Sequence, residues 1–299
     1  MAKCLSPVSI KNLNNEYIQV PCGKCCNCVN NNWQQWIFRN QQELKVSKLG
    51  LTVTLTYDDL HCPILNGQGY TVLKRDIQLF IKRLRSKIPP RTFKYMIVSE
   101  YGKNFLRPHY HGLLYFNHDC SFERDTIESI IQTSWNMGFI KFDSISSESI
   151  AYTTKYLLKD SPQAEFGDPT FMLSSRRPAI GSQYVEDNFE WYNMNMKKSY
   201  IQLTGGGKIG LPRFIKDKLR KKRQELVNKC SSVTDLDYIL KNDISLQQYY
   251  EEKDLKEQEE FEKLRLQGLD PFEHTFNLSA YKIEKFNKKL KAHKNKEKF

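Results

Sequence analysis

The stretch of sequence that decides the fold is Arg107-Pro-His-Tyr-His-Gly-Leu-Leu-Tyr-Phe116, in which two histidines precede an apolar run. Side chains along a β-strand alternate between its faces, so His109 and His111 are predicted on one face. Tyr110 and Leu114 then point to the opposite face, into a core. Two adjacent imidazoles can hold one metal ion together, although an isolated His-x-His pair is more often structural or simply exposed. The rest of the chain decides between these interpretations.

The composition favours a polyanionic partner. The chain has 299 residues, with 46 Lys and Arg against 34 Asp and Glu, for a formal net charge of +12. Nucleic acid is the commonest partner of so basic a protein, and the 16 Tyr and 17 Phe residues suit base stacking as well as an ordinary core. No signal-peptide pattern follows Met1, and no apolar run approaches membrane-spanning length. We therefore expect no membrane partner and a reducing, cytosolic setting.

Four of the eight cysteines crowd together near the N-terminus, at Cys22, Cys25, Cys26 and Cys28, and Cys4 stands upstream. They lie too close together for a usual disulfide framework, and clustered cysteines in a reducing compartment more often bind metal. Cys4, with Cys22, Cys25 and Cys28, would give the four thiolates of a tetrahedral structural Zn²⁺ site. Free thiols are the alternative. A ferredoxin-type iron–sulfur site is disfavoured because a non-cysteine residue stands four positions after Cys28.

Hydrophobic periodicity predicts an α+β fold. Leu51–Tyr57 alternates between apolar and threonine side chains, as a half-buried strand does. Leu73–Ile88 repeats apolar residues at helical spacing and ends at two prolines. The other predicted elements are a helix from Trp33 to about Lys48, strands at 93–100, 109–116 and 138–142, and helices at 123–136 and 147–160. From residue 51 onward, the order β-α-β-β-α-β-α predicts an antiparallel β-sheet with flanking helices.

Composition divides the chain into three predicted segments. Residues 1–32 form an N-terminal Cys-rich segment, the candidate zinc site, and residues 33–212 form a domain of catalytic size. Residues 213–299 form a basic, charged and largely helical C-terminal region. Within the second segment, residues 161–212 are rich in turn formers and are predicted to be irregular.

A carboxylate is predicted beside the histidine pair. Glu100 ends the strand before the loop that leads to His109, and it shares the parity of Val98 on that strand. In an antiparallel hairpin its carboxylate lies beside His109 and His111. Such a mixed oxygen and nitrogen site suits Mg²⁺ or Mn²⁺ acting as a Lewis acid on a phosphate oxygen.

Tyr152 and Tyr156 stand four residues apart on one predicted helix, so their phenols share a face one turn apart. Core packing is the alternative role for this pair. Lys155 and Lys159 occupy the adjacent stripe, where they can pair with a backbone phosphate or favour the phenolate. A phenol with a pKa of about 10 is a poor nucleophile at neutral pH, but a metal that polarises the phosphate lowers the demand on it. Attack by Tyr on DNA leaves a phosphotyrosine and a free 3′-hydroxyl, which can later reverse the step.

Several motifs, in one order over roughly residues 1–215, resemble a known family. The chain is similar to replication initiators of small single-stranded DNA phages, the gokushovirus-like microviruses, within the HUH endonuclease superfamily. The motifs are the Cys22–Cys28 cluster, the strand Leu51–Tyr57, Ser99-Glu100-Tyr101-Gly102, His109-Tyr110-His111, Tyr152-x-x-x-Tyr156, Ser175-Arg176-Arg177-Pro178 and Gly207–Pro212.

The resemblance implies a ferredoxin-like HUH endonuclease core in residues 33–212 and a role in rolling-circle replication. The implied reactions are site-specific origin nicking through a 5′-phosphotyrosine and later strand joining. The implied metal ligands are His109 and His111, with Glu100 as a third, and the two tyrosines alternate in an order that stays open. The expected DNA contacts are Arg107, Lys159, Arg176 and Arg177, and the catalytic set is Tyr152, Tyr156 and Lys155.

The expected partners are single-stranded phage DNA, double-stranded origin DNA, and a host helicase and polymerase, in the host bacterial cytoplasm. Two other functions stay open at this point. A basic, zinc-containing nucleic-acid-binding protein without catalysis would explain the cysteines and the charge, but not the histidines, carboxylate and tyrosines. A hydrolytic nuclease would activate water and would not need paired tyrosines.

Overall fold

The computed structural model describes residues 4–11, 15–65, 69–102, 105–158, 167–195, 198, 200–202, 208–229, 255 and 258–270. Its strands are Val8–Lys11 (β1), Tyr17–Val20 (β2), Leu49–Thr56 (β3), Ile64–Leu65 (β4), Gly69–Tyr70 (β5), Phe93–Tyr101 (β6), Pro108–Phe116 (β7), Ile140–Ser144 (β8), Met172–Ser174 (β9), Tyr200–Gln202 (β10) and Lys208–Gly210 (β11). Its helices are Cys26–Lys45 (α1), Lys74–Lys87 (α2), Arg124–Trp135 (α3), Ser147–Lys155 (α4), Gln183–Met194 (α5) and Arg213–Lys229 (α6). A 3₁₀ turn, Tyr156–Leu158, follows α4 directly.

A five-stranded antiparallel sheet organises the compact unit Asn32–Asn188. The strand order is β8-β3-β7-β6-β9, so the histidine strand β7 lies at the centre between β3 and β6. From β3 to α4, the elements follow the predicted order β-α-β-β-α-β-α. The predicted fold class, an α+β fold with an antiparallel sheet and flanking helices, is confirmed.

Both faces of the sheet are covered, which is why β7 reads as a nearly continuous apolar run after its histidines. On one face Leu55, Tyr110 and Leu114 join a core to which α2 and α3 contribute. On the other face Leu113 and Tyr115 pack with residues of β6, α1 and α4. The alternation of β7 therefore directs its even-numbered residues into the first core and its odd-numbered residues, which include the histidines, to the second face.

Gly112 allows this close packing. A Cβ at this position would lie 2.7 Å from Cγ2 of Val53 on β3 and 3.3 Å from Cγ1 of Ile97 on β6. Ordinary contacts between carbon atoms are about 3.5–4.0 Å. Any larger residue at position 112 would therefore push apart the strands that flank the histidines.

The second compact unit comprises Met1–Asn31 and Phe189–Phe299. In it β1 and β2 form an antiparallel hairpin whose side chains are almost all exposed, and β10 pairs with β11. In the C-terminal region the structure describes α6 and a helical stretch over 258–266, and the rest of that region lies outside the described residues. The three domain boundaries predicted from composition stay predictions.

Three sequence-based predictions of local structure were wrong. Helix α1 begins at Cys26 and not at Trp33, so it starts inside the cysteine cluster. The helix predicted to reach residue 160 ends at Lys155 and passes into the 3₁₀ turn. Residues 161–212 are not irregular throughout, because they contain β9, α5, β10 and β11. Within α5, Val185, Phe189 and Tyr192 are buried at helical spacing, a pattern that the surrounding polar residues obscured.

No helix in the described part of the chain is both long enough and apolar enough to cross a membrane.

Candidate active site

The β6–β7 hairpin sets Glu100 beside the two histidines. In its register Glu100 lies opposite His109, and a carboxylate oxygen of Glu100 lies 3.0 Å from Nε2 of His111. Residues directly opposite in an antiparallel pair, and those two positions along, share one face of the sheet. The three side chains therefore meet on the face that α4 covers.

The ring of His109 is oriented by the loop that precedes it. Its Nδ1 lies 2.8 Å from the carbonyl oxygen of Arg107, to which it can donate only as N–H. This assigns the proton to Nδ1 and leaves Nε2 with a free lone pair. Burial lowers the pKa of His109, which favours the neutral form that ligates metals. Gly102 makes room for the ring, because a Cβ there would lie 3.0 Å from Cε1 of His109.

The tyrosine helix α4 is held by its polar residues. It begins with a capping box, in which the Ser146 side chain accepts a hydrogen bond from the Ser149 backbone N–H. Its buried face carries Thr153 and Thr154. The Trp33 indole N–H donates to Oγ1 of Thr154 at 3.1 Å, which anchors α4 to α1. These contacts fix the rotation of the helix, so Tyr152 and Tyr156 face the histidine side of the sheet.

Both phenol rings contact the imidazole of His111. The Tyr156 ring is stacked on it at 4.5 Å between centroids, with 4° between the planes, and Tyr152 meets it edge-on at 6.0 Å. The Tyr156 hydroxyl donates to the Tyr152 hydroxyl oxygen at 2.5 Å. Tyr156 is only 8% exposed, whereas Tyr152 is 54% exposed. Burial raises the pKa of Tyr156 well above its usual value, and its hydrogen bond to Tyr152 and the nearby Glu100 carboxylate add to this.

A cavity of about 150 Å³ opens beside Tyr152, between α4 and the edge of the sheet formed by β3 and β8. Thr54 of β3 lies directly between His111 of β7 and Lys141 of β8 in the sheet register. The cavity walls are mostly polar. They comprise Thr52, Val53, Thr54, His111, Lys141, Asp143, Ser149, Tyr152 and Thr153.

The remaining predicted site residues lie in different surroundings. Lys155 is half-buried in the last turn of α4, and Lys159 lies outside the described residues. Arg107 donates to the carbonyl oxygen of Tyr57 at 3.0 Å and pairs with a nearby aspartate, so it holds neighbouring loops together. Arg176 and Arg177 are exposed on the turn that follows β9. The predicted roles of these residues in DNA binding stay predictions.

The four predicted zinc ligands are close together. The sulfur atoms of Cys4, Cys22, Cys25 and Cys28 all lie within 4.8 Å of one another, so this group could hold a metal ion. The Cys22 backbone N–H donates to Sγ of Cys4 at 3.2 Å, and the Cys25 N–H donates to Sγ of Cys22 at 3.3 Å. Burial acts to raise the pKa of Cys25, but hydrogen bonds from backbone N–H groups lower it to about 6.

Elsewhere in the described part of the chain, no set of three or more His, Cys, Asp or Glu residues brings its donor atoms as close together as these four cysteines. The Glu100, His109 and His111 set is therefore more open than the cysteine group.

Sequence reasoning missed four contributors to the site. Gly102 and Trp33 act through contacts with His109 and α4 that only the folded chain reveals. Lys141 and Asp143 reach the cavity because β8 pairs with β3 across a long sequence separation. The alternation of β8 puts these two residues on one face, but nothing in the sequence states which strand β8 joins.

Comparisons with known proteins agree with the motifs. Residues 50–161 match a family model described as that of the replication-associated protein ORF2. The chain is 28% identical over 224 residues to replication-associated protein VP4 of Bdellovibrio phage phiMH2K, a match that covers 69% of each chain. It is 33% identical over 198 residues to replication-associated protein ORF2 of Spiroplasma virus 4, which covers 60% of this chain and 61% of that protein.

A third relative is replication-associated protein ORF4 of Chlamydia phage 1. It is 24% identical over 224 residues, which is 68% of this chain and 54% of that protein. No solved structure shows a significant match to the chain. The matched family region contains β3, the histidine strand and the tyrosine helix, and the resemblance drawn from these motifs is confirmed: this chain is a microvirus-like replication initiator.

Proposed function

We propose that this protein starts rolling-circle replication of a single-stranded DNA phage by nicking DNA at the origin, and that it later joins the strand ends. The observation that carries the proposal is the position of Tyr152 and Tyr156, whose rings both contact His111 on the face that also holds Glu100 and His109. The names of the relatives support a role in replication.

The residues present fit a divalent cation such as Mg²⁺ or Mn²⁺. Glu100 offers a carboxylate, and His109 offers an Nε2 lone pair because its Nδ1–H is bound to a backbone carbonyl. His111 offers a second imidazole beside the carboxylate. We propose that these three side chains hold the cation. When bound, it would neutralise charge that builds on the oxygens of the scissile phosphate.

The tyrosines supply the covalent chemistry. A phenol oxygen attacks the phosphorus, and the bond from phosphorus to the 3′ oxygen breaks. The phenol loses its proton and the 3′ oxygen gains one, which leaves a 5′-phosphotyrosine and a free 3′-hydroxyl. Since one phosphodiester is exchanged for another, a 3′-hydroxyl can reverse the step and join a strand. Two tyrosines allow one to hold the 5′ end while the other attacks the regenerated origin.

We further propose that the cysteine group holds a structural Zn²⁺. Four thiolates form the usual ligand set of such sites. The β1–β2 hairpin lies between Cys4 and Cys22, and its exposed side chains provide almost no core. A metal bound by Cys4, Cys22 and the start of α1 would hold both ends of the hairpin.

The proposed partners are the single-stranded and double-stranded origin DNA of the phage, together with a host helicase and polymerase that would unwind and copy it in the bacterial cytoplasm. The net charge of +12 supports the DNA partner.

Labelled single-stranded oligonucleotides that tile the genome carrying this gene test the nicking proposal. With Mn²⁺ present, a protein–DNA adduct that survives denaturation is expected. A DNA-binding protein without catalysis would shift the oligonucleotides in a native gel but form no adduct. A hydrolytic nuclease would release free 5′-phosphate ends and likewise form no adduct.

A further inference from the structure

The two tyrosines lie in different surroundings, and we propose that this difference divides their work: Tyr152 makes the first cut, and Tyr156 makes the second transfer. The division rests on the proposed function, since it assumes tyrosine attack on DNA. Sequence alone leaves the order open, because the two phenols are chemically identical and stand on the same helical segment.

Tyr152 can be reached by a DNA strand as the chain stands. Its side chain is 54% exposed, whereas that of Tyr156 is 8% exposed. A phosphorus atom must come within about 3–3.5 Å of the attacking oxygen for reaction. An exposed phenol accepts this approach without rearrangement, and a buried phenol does not.

Tyr156 is held by two contacts that it must give up before it can attack. Its ring is stacked flat on His111 at 4.5 Å, and its hydroxyl donates to the oxygen of Tyr152. Tyr152 meets His111 only by an edge, at 6.0 Å. A stacked ring and a hydrogen bond together make the rearranged state of Tyr156 about tenfold or more rarer than its resting state.

The cavity beside the helix also favours Tyr152. Tyr152, and not Tyr156, is among the described residues that line it, and hydroxyl groups from β3 and α4 form much of its wall. A volume of about 150 Å³ is several times the roughly 30 Å³ that one water molecule occupies in the liquid. The cavity can therefore hold the phosphate and part of the sugar of one nucleotide.

The charged residues of the cavity identify the end that would bind a phosphate. Lys141 and Asp143 stand two residues apart on β8 and so share the face of the sheet on which the cavity lies. Lys141 lies in the same cross-strand row as His111, two strands away, which is about 10 Å. A backbone phosphate of a single DNA strand would bind at the Lys141 end, because the Asp143 carboxylate repels it at the other.

Trypsin separates the two tyrosines, which gives a direct test. Cleavage after Lys141, Lys155 and Lys159 puts Tyr152 in the peptide 142–155 and Tyr156 in the peptide 156–159. The unmodified chain is allowed to react briefly with the labelled oligonucleotides and Mn²⁺, then digested, and the nucleotide-bearing peptides are measured by mass spectrometry. We expect about tenfold more adduct on 142–155 at early times.

Single variants give a second reading. Tyr156→Phe is expected to keep early adduct formation and to lose strand joining, and Tyr152→Phe to lower early adduct formation about tenfold. Equal adduct on both peptides, or more on 156–159, would overturn the division and leave the proposed function standing. Absence of any adduct, or an adduct on neither peptide, would overturn both.

Discussion

Replacement of Gly112 by alanine tests how the histidine strand is packed. The added Cβ would lie 2.7 Å from Cγ2 of Val53 and 3.3 Å from Cγ1 of Ile97, both in the buried core. Overpacking of this kind costs about 1–3 kcal/mol. For a unit of this size, a loss of about 2 kcal/mol lowers the melting temperature by about 4–8 °C. Because the preceding residue is His111, the same variant is expected to form less DNA adduct.

The matched rescue is Val53→Ala, which removes the carbon that the new methyl group meets. Alone it costs about 2 kcal/mol through lost burial and the space left behind. Combined with Gly112→Ala, it should cost about 1–2 kcal/mol less than the sum of the single changes. Urea unfolding of the four proteins measures this coupling. Strictly additive losses would refute the contact, and with it the account of why glycine follows the second histidine.

Three further changes test other parts of the account. Cys25→Ser should remove about one equivalent of zinc per chain and destabilise the N-terminal hairpin, whereas Cys26→Ser should keep the metal; elemental analysis of the purified proteins that finds zinc retained in both would remove the cysteine site. Lys141→Met should weaken binding of single-stranded DNA and reduce the slope of log affinity against log salt by about 0.7, whereas Lys82→Met, on a helix of the opposite face, should not; equal slopes in fluorescence anisotropy titrations would contradict the phosphate contact. Gly102→Ala should push the first histidine of the pair and slow adduct formation about tenfold with little change in melting temperature, and an unchanged rate would show that the ring has room to move.

The sequence predicted the central strands well because their burial has a regular period. β3 alternates leucine and valine with threonine, and the structure buries its apolar residues and leaves its threonines half-exposed. The same alternation placed His109 and His111 on the face opposite Tyr110. A helical pattern was missed in α5, where three buried positions are separated by acidic and amide side chains.

The site was less predictable than the strands, because it depends on contacts between distant parts of the chain. Strand parity was sufficient to expect Glu100 beside the histidines. The rotation of α4 depends on a hydrogen bond from Trp33, 121 residues away. The asymmetry between Tyr152 and Tyr156 arises because α4 ends between them, so the second phenol turns under the first in a 3₁₀ turn. Helical spacing alone makes the two positions look equivalent.

The most direct test of the central claim compares the unmodified chain with the Tyr152→Phe, Tyr156→Phe double variant on labelled single-stranded origin DNA with Mn²⁺. The unmodified chain should form a denaturant-resistant adduct and release a 3′-hydroxyl. The double variant should bind the DNA with similar affinity and form none, because it lacks both phenol oxygens and keeps the ring packing on His111. A covalent adduct in the double variant would contradict tyrosine-linked nicking.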